Sequence, residues 1–567
     1  MSRSRHLSLL VLLLLALLPS QAFAQQAAPP ATASAAPDRT GEIDKIFGWA
    51  MPATPGCVAA ASHHGQIVVN RAYGLADIER NVPLSPDSLF DVASIRKQFV
   101  AAAVFLLVEE GHLSLADDVR KHIPELPDYG RTITLEHLLT HTSGLRDWIP
   151  LQDWANGSDD AMTLILRQRT LNFAPGAEWS YSNSGYVLLT DIVARTSGMS
   201  FSEFARTRFF DPLGMKSTVY VDDLRDVVRN RALAYEPEGT GWKLAMRLGV
   251  ERGGGALFST ARDLVLWSDA LANQRLGRFV NEKLEEPARL GNGRTLDYSR
   301  GLLLGSNYAG RMMWHGGGAA GYRSILARYP DQGLSIAVLC NAGERSDGRD
   351  GFAARIHDLF VSPGGFRPAP PASPASPVVE GLDVNSKAGL FFNEGTGETL
   401  RLIANNGRLG IAGGGPLVAV TRERFRNPRA NLAFMSQDEF ELNFLSQDQF
   451  ELKSMEGQTS RYRRARSYAP NAADLQAFAG RYESDELRTV MQIAPGKGGL
   501  TVRVNESLTQ VVELGPVDPD TFQRGTQAVV RFRRDKAGKV VGFDFTNPAL
   551  RNIRFTRLGD RADLREP

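Results

Sequence analysis

Cysteine is scarce, with two residues in 567. That excludes a disulfide scaffold and a multi-cysteine zinc module. Net charge is equally scarce, with 65 basic residues against 63 acidic ones, so nothing in the charge balance points to nucleic acid. No GxSxG elbow or HExxH pair occurs, and no Walker or dinucleotide motif stands out, because the GGG runs lack the strand-then-phosphate-loop context such sites need. Apart from Leu7 to Leu18 no hydrophobic run approaches membrane-spanning length, and that run is itself too short to cross comfortably. With 43% hydrophobic residues the chain is not wholly disordered, and its length suggests three or four domains at about 150 residues each.

The start of the chain reads as an export signal. Arg3 and Arg5 precede the apolar run, Pro19 breaks it, and Ala22-Phe23-Ala24 has the small-x-small form of a cleavage site. Cleavage before Gln25 leaves 63 basic and 63 acidic residues. The expected product is soluble, periplasmic or secreted, with no membrane anchor. Residues 25–40 have linker composition. Residues 41–361 open on a hairpin pattern, CVAAASHH and QIVVNRAYG, and end on two strand-like runs about Pro330 to Gly333. Helical stretches lie between them, which predicts one α/β unit whose sheet draws strands from both termini. A proline-rich linker occupies 362–384 and predicts a preceding segment able to fold without residues 379–567. Two β segments follow, at 385–466 and 467–560. KAGLFFNEGTGETLRLI resembles FAGRYESDELRTVMQI at an offset of 91 residues, so two similar small antiparallel barrels are expected. Within the first, FMSQDEFELN and FLSQDQFELK read as a duplicated hairpin.

Three short motifs carry chemistry. Ser94 and Lys97 open the first strong helix; they lie one turn apart, so a desolvated lysine can serve as the base that serine needs. Tyr181 and Asn183 sit in a polar loop before the next strong helix; the first can pass protons and the second can hold a substrate amide. His315-Gly316-Gly317-Gly318 offers close backbone approach, an oxyanion N–H from Gly318 and a histidine for the leaving group or a substrate carboxylate. Each motif alone is weak.

In this order they resemble the S-x-x-K, Y-x-N and H-x-G set of the serine β-lactamase and penicillin-binding-protein superfamily, class C-like branch. LFDVASIRKQF, ITLEHLLTHTSGL, FDPLGM and GGGALFSTARDL extend the resemblance over about Gly41 to Phe360. It implies an α/β fold with an antiparallel sheet, flanking helices and an inserted helical region. It also implies catalysis by Ser94, Lys97 and Tyr181 through an acyl-enzyme. Asn183, His315, Gly316, Gly317 and Gly318 are then expected to bind substrate, with no metal and no cofactor. His315 departs from the lysine of class C β-lactamases and removes a permanent charge for a β-lactam carboxylate. The order of catalytic segment and two β segments resembles D-stereospecific aminopeptidases. The implied function is an exported serine hydrolase acting on a small-molecule or short-peptide substrate, D-peptides first. A carboxylesterase, a β-lactamase and a non-catalytic sensor are the alternatives.

Three further readings complete the sequence. His137 and His141 are spaced i, i+4, yet no HExxH accompanies them and no metal is expected. Specificity is placed in loops around Trp148, Trp179 and Tyr322. The resemblance implies a sheet that brings the Cys57 and Cys340 strands together; direct cross-strand bridges are often strained, so two buried free thiols are favoured over a disulfide.

Overall fold

A computed structural model describes residues 39–361 and 379–559, apart from 51, 156–158, 250–253, 344–347, 413–414, 428–439, 455–458, 505–510, 526–527 and 548. The export signal, the proline-rich stretch 362–378 and the first half of the duplicated decapeptide lie outside the described residues.

The catalytic segment is built on a six-stranded antiparallel sheet. Its order is Leu303–Asn307, Gly310–Ala319, Tyr322–Tyr329, Leu334–Cys340, Cys57–His63 and Gln66–Tyr73. The first hairpin therefore joins the last strand, and the expected two-ended sheet is present. Both of its central strands are buried on both faces. Cys57, Ala59 and Ala61 pack with Phe47, Ile336, Val338, Phe352 and Ile356 on one side. Val58 and Ala60 pack with Leu339 and Trp267 on the other, the period of two that a pleated strand imposes. The helix Ala261–Ala272 lies against this second face and leads into the helical region. There the helix Arg96–Glu109 is apolar nearly all round and buried from Lys97 to Phe105, as a central helix must be.

Register, set by this two-sided burial, places Cys57 directly opposite Cys340, and the two are bonded, with Cα atoms 4.0 Å apart. The expectation of free thiols is corrected: once both strands are locked into the core, the sulfurs have no other partner.

The last third holds two eight-stranded antiparallel sheets. One runs between Gly389–Asn393 and Thr459–Arg464, with the hairpin Phe440–Phe444 and Gln449–Ser454 inside it. The other, from Gly480–Ser484 to Ile553–Arg557, closes into a barrel. Their repeat is physical as well as textual. Arg464 donates to the Ala388 carbonyl and stacks on Phe391 at 4.6 Å; Arg557 donates to the Ala479 carbonyl and stacks on Tyr482 at 5.9 Å. Each sheet thus fastens its last strand to its first with the same cation–π clasp.

The closed barrel does not stand apart from the catalytic segment. Trp154 packs on Phe545 at 4.8 Å in a mouth lined by Met491, Val502, Val530 and Phe543, and the apolar core runs through both. Arg146, fully buried, donates to Glu486 at 2.7 Å and to the Arg551 carbonyl at 2.7 Å. Arg551 in turn pairs with Glu178 of the catalytic segment at 3.0 Å and Glu398 of the first β sheet at 2.9 Å. Linker composition alone suggested independence; this core shared between segments argues the reverse.

Three outcomes follow. Glu486→Ala strands a buried guanidinium and should lower unfolding free energy by about 3–5 kcal/mol in a denaturant titration. A chain ending at residue 378 should be insoluble or melt without cooperativity. In non-reducing denaturant the full chain should show no free thiol to a colorimetric reagent.

Candidate active site

The site begins with a strained turn. Phe90–Asp91 pairs with Ala256–Ser259, and the Asp91 carboxylate accepts the Ala93 N–H at 2.8 Å. That bond helps hold Ala93 at φ +50°, a left-handed conformation that a residue with a Cβ adopts only under constraint. The turn Ala93–Ile95 is 3-10 in character and feeds the helix Arg96–Glu109, so Ser94 stands just before the α-helix and Lys97 just inside it. Lys97 Nζ lies 3.1 Å from Ser94 Oγ and donates to Asn183 Oδ1 at 2.7 Å. Among the described residues no carboxylate touches it. Burial, and secondly the Arg96 charge, push its pKa well below that of an ordinary lysine, against a smaller pull from Asp147. A neutral Lys97 that donates to Asn183 turns its lone pair toward the serine proton.

Asn183 is the first residue of the helix Asn183–Ser197. Its Nδ2 donates to Asp147 Oδ2 at 2.8 Å, and its backbone N–H reaches the same oxygen at 3.2 Å. Asp147 also accepts the Ile149 N–H at 3.1 Å and so caps the helix Trp148–Gln152. The carboxylate thereby fixes which way the Asn183 amide faces: nitrogen to Asp147, oxygen to Lys97. The amide expected at the substrate sits between these two partners. Burial raises the Asp147 pKa, and its N–H donors hold it down.

Tyr181 is buried with its ring 4.7 Å from Lys97 Nζ. Its hydroxyl has no hydrogen bond of ordinary geometry among the described residues, yet lies near enough to feel the Ser94 hydroxyl. Burial holds the phenol protonated far above its usual range. A protonated, unengaged hydroxyl beside the nucleophile is placed to give a proton to a leaving group.

The third motif occupies a strand edge. Gly310–Ala319 pairs with Leu303–Asn307 only as far as Trp314, so from His315 onward its outer edge faces the Ser94 turn instead of a strand. Gly317 must be glycine: a Cβ there would overlap the Val92 carbonyl oxygen and the Ser324 hydroxyl, which already bond each other at 2.9 Å. A Cβ on Gly318 would meet only the Arg323 side chain, no closer than 3.8 Å. The Gly318 N–H on this edge faces the turn that carries Ser94. His315 is buried, with Nδ1 2.7 Å from the Gly316 carbonyl and Nε2 3.3 Å from the Tyr298 hydroxyl.

Other readings resolve differently. His137 caps its own helix through Thr134, and His141 lies beyond it, bonded to Ser182 and Tyr298; among the described residues no group of side chains forms a metal site. Trp148 and Tyr322 are core residues, the latter donating to the Ala232 carbonyl, so they do not line a specificity loop. Asp147 and Tyr298 escaped the sequence reading because neither falls inside a motif; their only signal was adjacency, to THTSGL and to the WHGGG strand.

Asp147→Asn should keep the fold, free the Asn183 amide to turn over, and reduce kcat by about 10–100-fold. Gly317→Ala should push the strand off the Ser94 turn and cost kcat/KM about 100-fold, in keeping with the price of an ångström-scale misplacement. Steady-state kinetics with a melting control checks both.

Comparison with known proteins agrees with this geometry. Residues 44–359 match the Beta-lactamase family. Penicillin-binding protein 4* of Bacillus subtilis (strain 168) is 32% identical over 333 residues, spanning 53% of this chain and 72% of that protein. A D-aminopeptidase of Brucella melitensis biotype 2 (strain ATCC 23457) is 24% identical over 528 residues, spanning 89% of this chain and 96% of the relative. The octameric penicillin-binding protein homologue from Pyrococcus abyssi shares the fold, with a TM-score of 0.50 at 21% identity over 75% of this chain and 99% of its own. With its nucleophile turn, buried lysine and glycine strand edge assembled at one point, the chain belongs to the beta-lactamase family and is a serine hydrolase.

Proposed function

We propose that the protein hydrolyses amide bonds of short D-amino-acid peptides through a Ser94 acyl-enzyme. The hydrogen-bonded line Ser94–Lys97–Asn183–Asp147, with an uncharged amine at its centre, carries this reading. Ser94 Oγ attacks the carbonyl carbon as its proton passes to Lys97. The tetrahedral oxyanion is held by the Ser94 and Gly318 N–H groups. Tyr181 gives its proton to the departing amine and is reloaded from Lys97. Water, deprotonated by the same pair, then attacks the ester and returns Ser94 with a carboxylic acid as product.

The amide and D-residue preference rests on the Brucella D-aminopeptidase, whose alignment takes in nearly all of this chain, β segments included. A histidine in place of lysine in the third motif supports the same choice. Export is part of the proposal: the leader-like start and the Cys57–Cys340 bridge both suit an oxidising compartment.

The test is kcat/KM for D-alanine p-nitroanilide against its L-isomer and a short-chain aryl ester, with Ser94→Ala as the blank. Turnover of the D-anilide above its L-isomer is expected, and none with Ser94→Ala. Ester turnover with the anilide at background would replace the proposal with a carboxylesterase. Catalysis needs Lys97 uncharged, so kcat/KM should rise with pH and level off well below the ordinary lysine pKa. Lys97→Arg, which cannot deprotonate, should be inactive throughout.

A further inference from the structure

The two β segments meet at an apolar seam. Leu390 and Phe392 of the first sheet pack there on Val529 of the barrel. Along the barrel strand Ala528–Arg534, Val530 and Phe532 face the barrel core, so Val529 and Arg531 alternate outward into the seam. The Arg531 guanidinium lies over the Phe392 ring at 5.7 Å, and Arg463 lies over the same ring at 5.2 Å. Negative charge is short around them. Asp518 is buried and shared by Arg463 at 2.8 Å and Arg466 at 3.3 Å. Asp544, opposite Arg531 in register, is taken by Arg533 at 3.4 Å and Arg554 at 3.6 Å. Arg531 itself is half-buried, and among the described residues it has neither an ion pair nor a hydrogen bond. Burial first, and then the Arg463 charge, lower its pKa against smaller pulls from Asp518 and Asp544. A guanidinium stays charged in spite of such a shift, so the seam holds a cation without a counter-ion.

Two further observations mark where a ligand fits. Gly397 lies in the turn after Gly389–Asn393, and a Cβ on it would stand 3.4 Å from both Arg531 Nη atoms. The missing side chain leaves an atom-sized gap against the two-pronged end of the guanidinium. Gln523, 5% exposed, extends Nε2 to Thr399 Oγ1 at 3.4 Å, and its Oε1 has no partner among the described residues. A buried amide oxygen left in that state is costly. Gln523 belongs to the strand Thr521–Arg524, which pairs with the strand of Arg531, and Thr399 is two residues from Gly397. The unfilled acceptor and the unpaired cation therefore border one stretch of the seam.

We propose that this seam is a second binding site, one that takes a small carboxylate ligand carrying its own N–H, as the C-terminal residue of a short peptide does. The carboxylate lies in the gap over Gly397 and pairs two-pronged with Arg531. The ligand N–H donates to Gln523 Oε1. No residue of this site belongs to the Ser94 machinery, so the site does not depend on which bond the enzyme cleaves.

The test is calorimetric titration of the full chain with N-acetylglycine, acetate and inorganic phosphate at constant ionic strength. N-acetylglycine should bind saturably and about tenfold more tightly than acetate, which lacks the N–H. Arg531→Gln should weaken N-acetylglycine about tenfold or more, as loss of a charge-assisted pair requires. Gln523→Leu should erase the preference over acetate and leave acetate binding unchanged. Equal affinity in Arg531→Gln would put the ligand elsewhere, the catalytic site included, and overturn the proposal. So would the absence of saturable binding to the wild type at tens of millimolar, or tighter binding of phosphate than of N-acetylglycine. If Arg531→Gln does not fold, Gly397→Ala decides. It keeps every charge and fills the gap, so N-acetylglycine binding should be lost, and retained binding refutes the site.

Discussion

Everything at this site depends on one lysine that, among the described residues, has no carboxylate to pair with. Lys97 is wholly buried, and its contacts are a hydroxyl, an amide oxygen and two aromatic faces. An ammonium there would be poorly solvated, so the neutral amine is the stable form. Asp147 is near enough to add negative potential but is kept one residue away by Asn183. Had the carboxylate touched Nζ directly, the ion pair would have restored the charge and abolished the base. The amide works as a spacer that transmits orientation without transmitting enough charge to protonate the amine.

Neighbouring residues tie this balance to the rest of the molecule. Arg146 points into the closed barrel while Asp147, next along the chain, points at Asn183. Arg551 reaches Glu178, three residues before Tyr181, and at the same time holds the first β sheet through Glu398. The loop that leads to Tyr181 and the loop that carries Asp147 are thus both clamped by the barrel. The β segments form the far wall against which these loops are set.

Sequence alone revealed the sheet drawn from both ends of the segment 41–361, the doubled β architecture and the three motifs. These are local patterns: two-sided apolar strands, glycine turns, and chemical residues at fixed short spacing. Long-range placement was not legible. Nothing in DYSRG announces that Tyr298 bridges two histidines, because those histidines are 157 and 17 residues away. The bond from Asn183 to Asp147 was not legible because Asp147 lies in a different loop. The proline-rich stretch suggested separation, but the interface that joins the barrel to the catalytic segment is made by residues scattered from Arg146 to Arg551. Register, too, is a tertiary quantity, and only the paired strands reveal that Cys57 faces Cys340.

That pairing makes the catalytic segment a covalent ring, since the bridge closes a span of 283 residues. A single backbone cut anywhere inside the ring leaves two pieces that cannot drift apart. A cut between Ser94 and Gly316 would put the two on different pieces, still joined through the bridge. On a gel such a cut would be visible only after reduction.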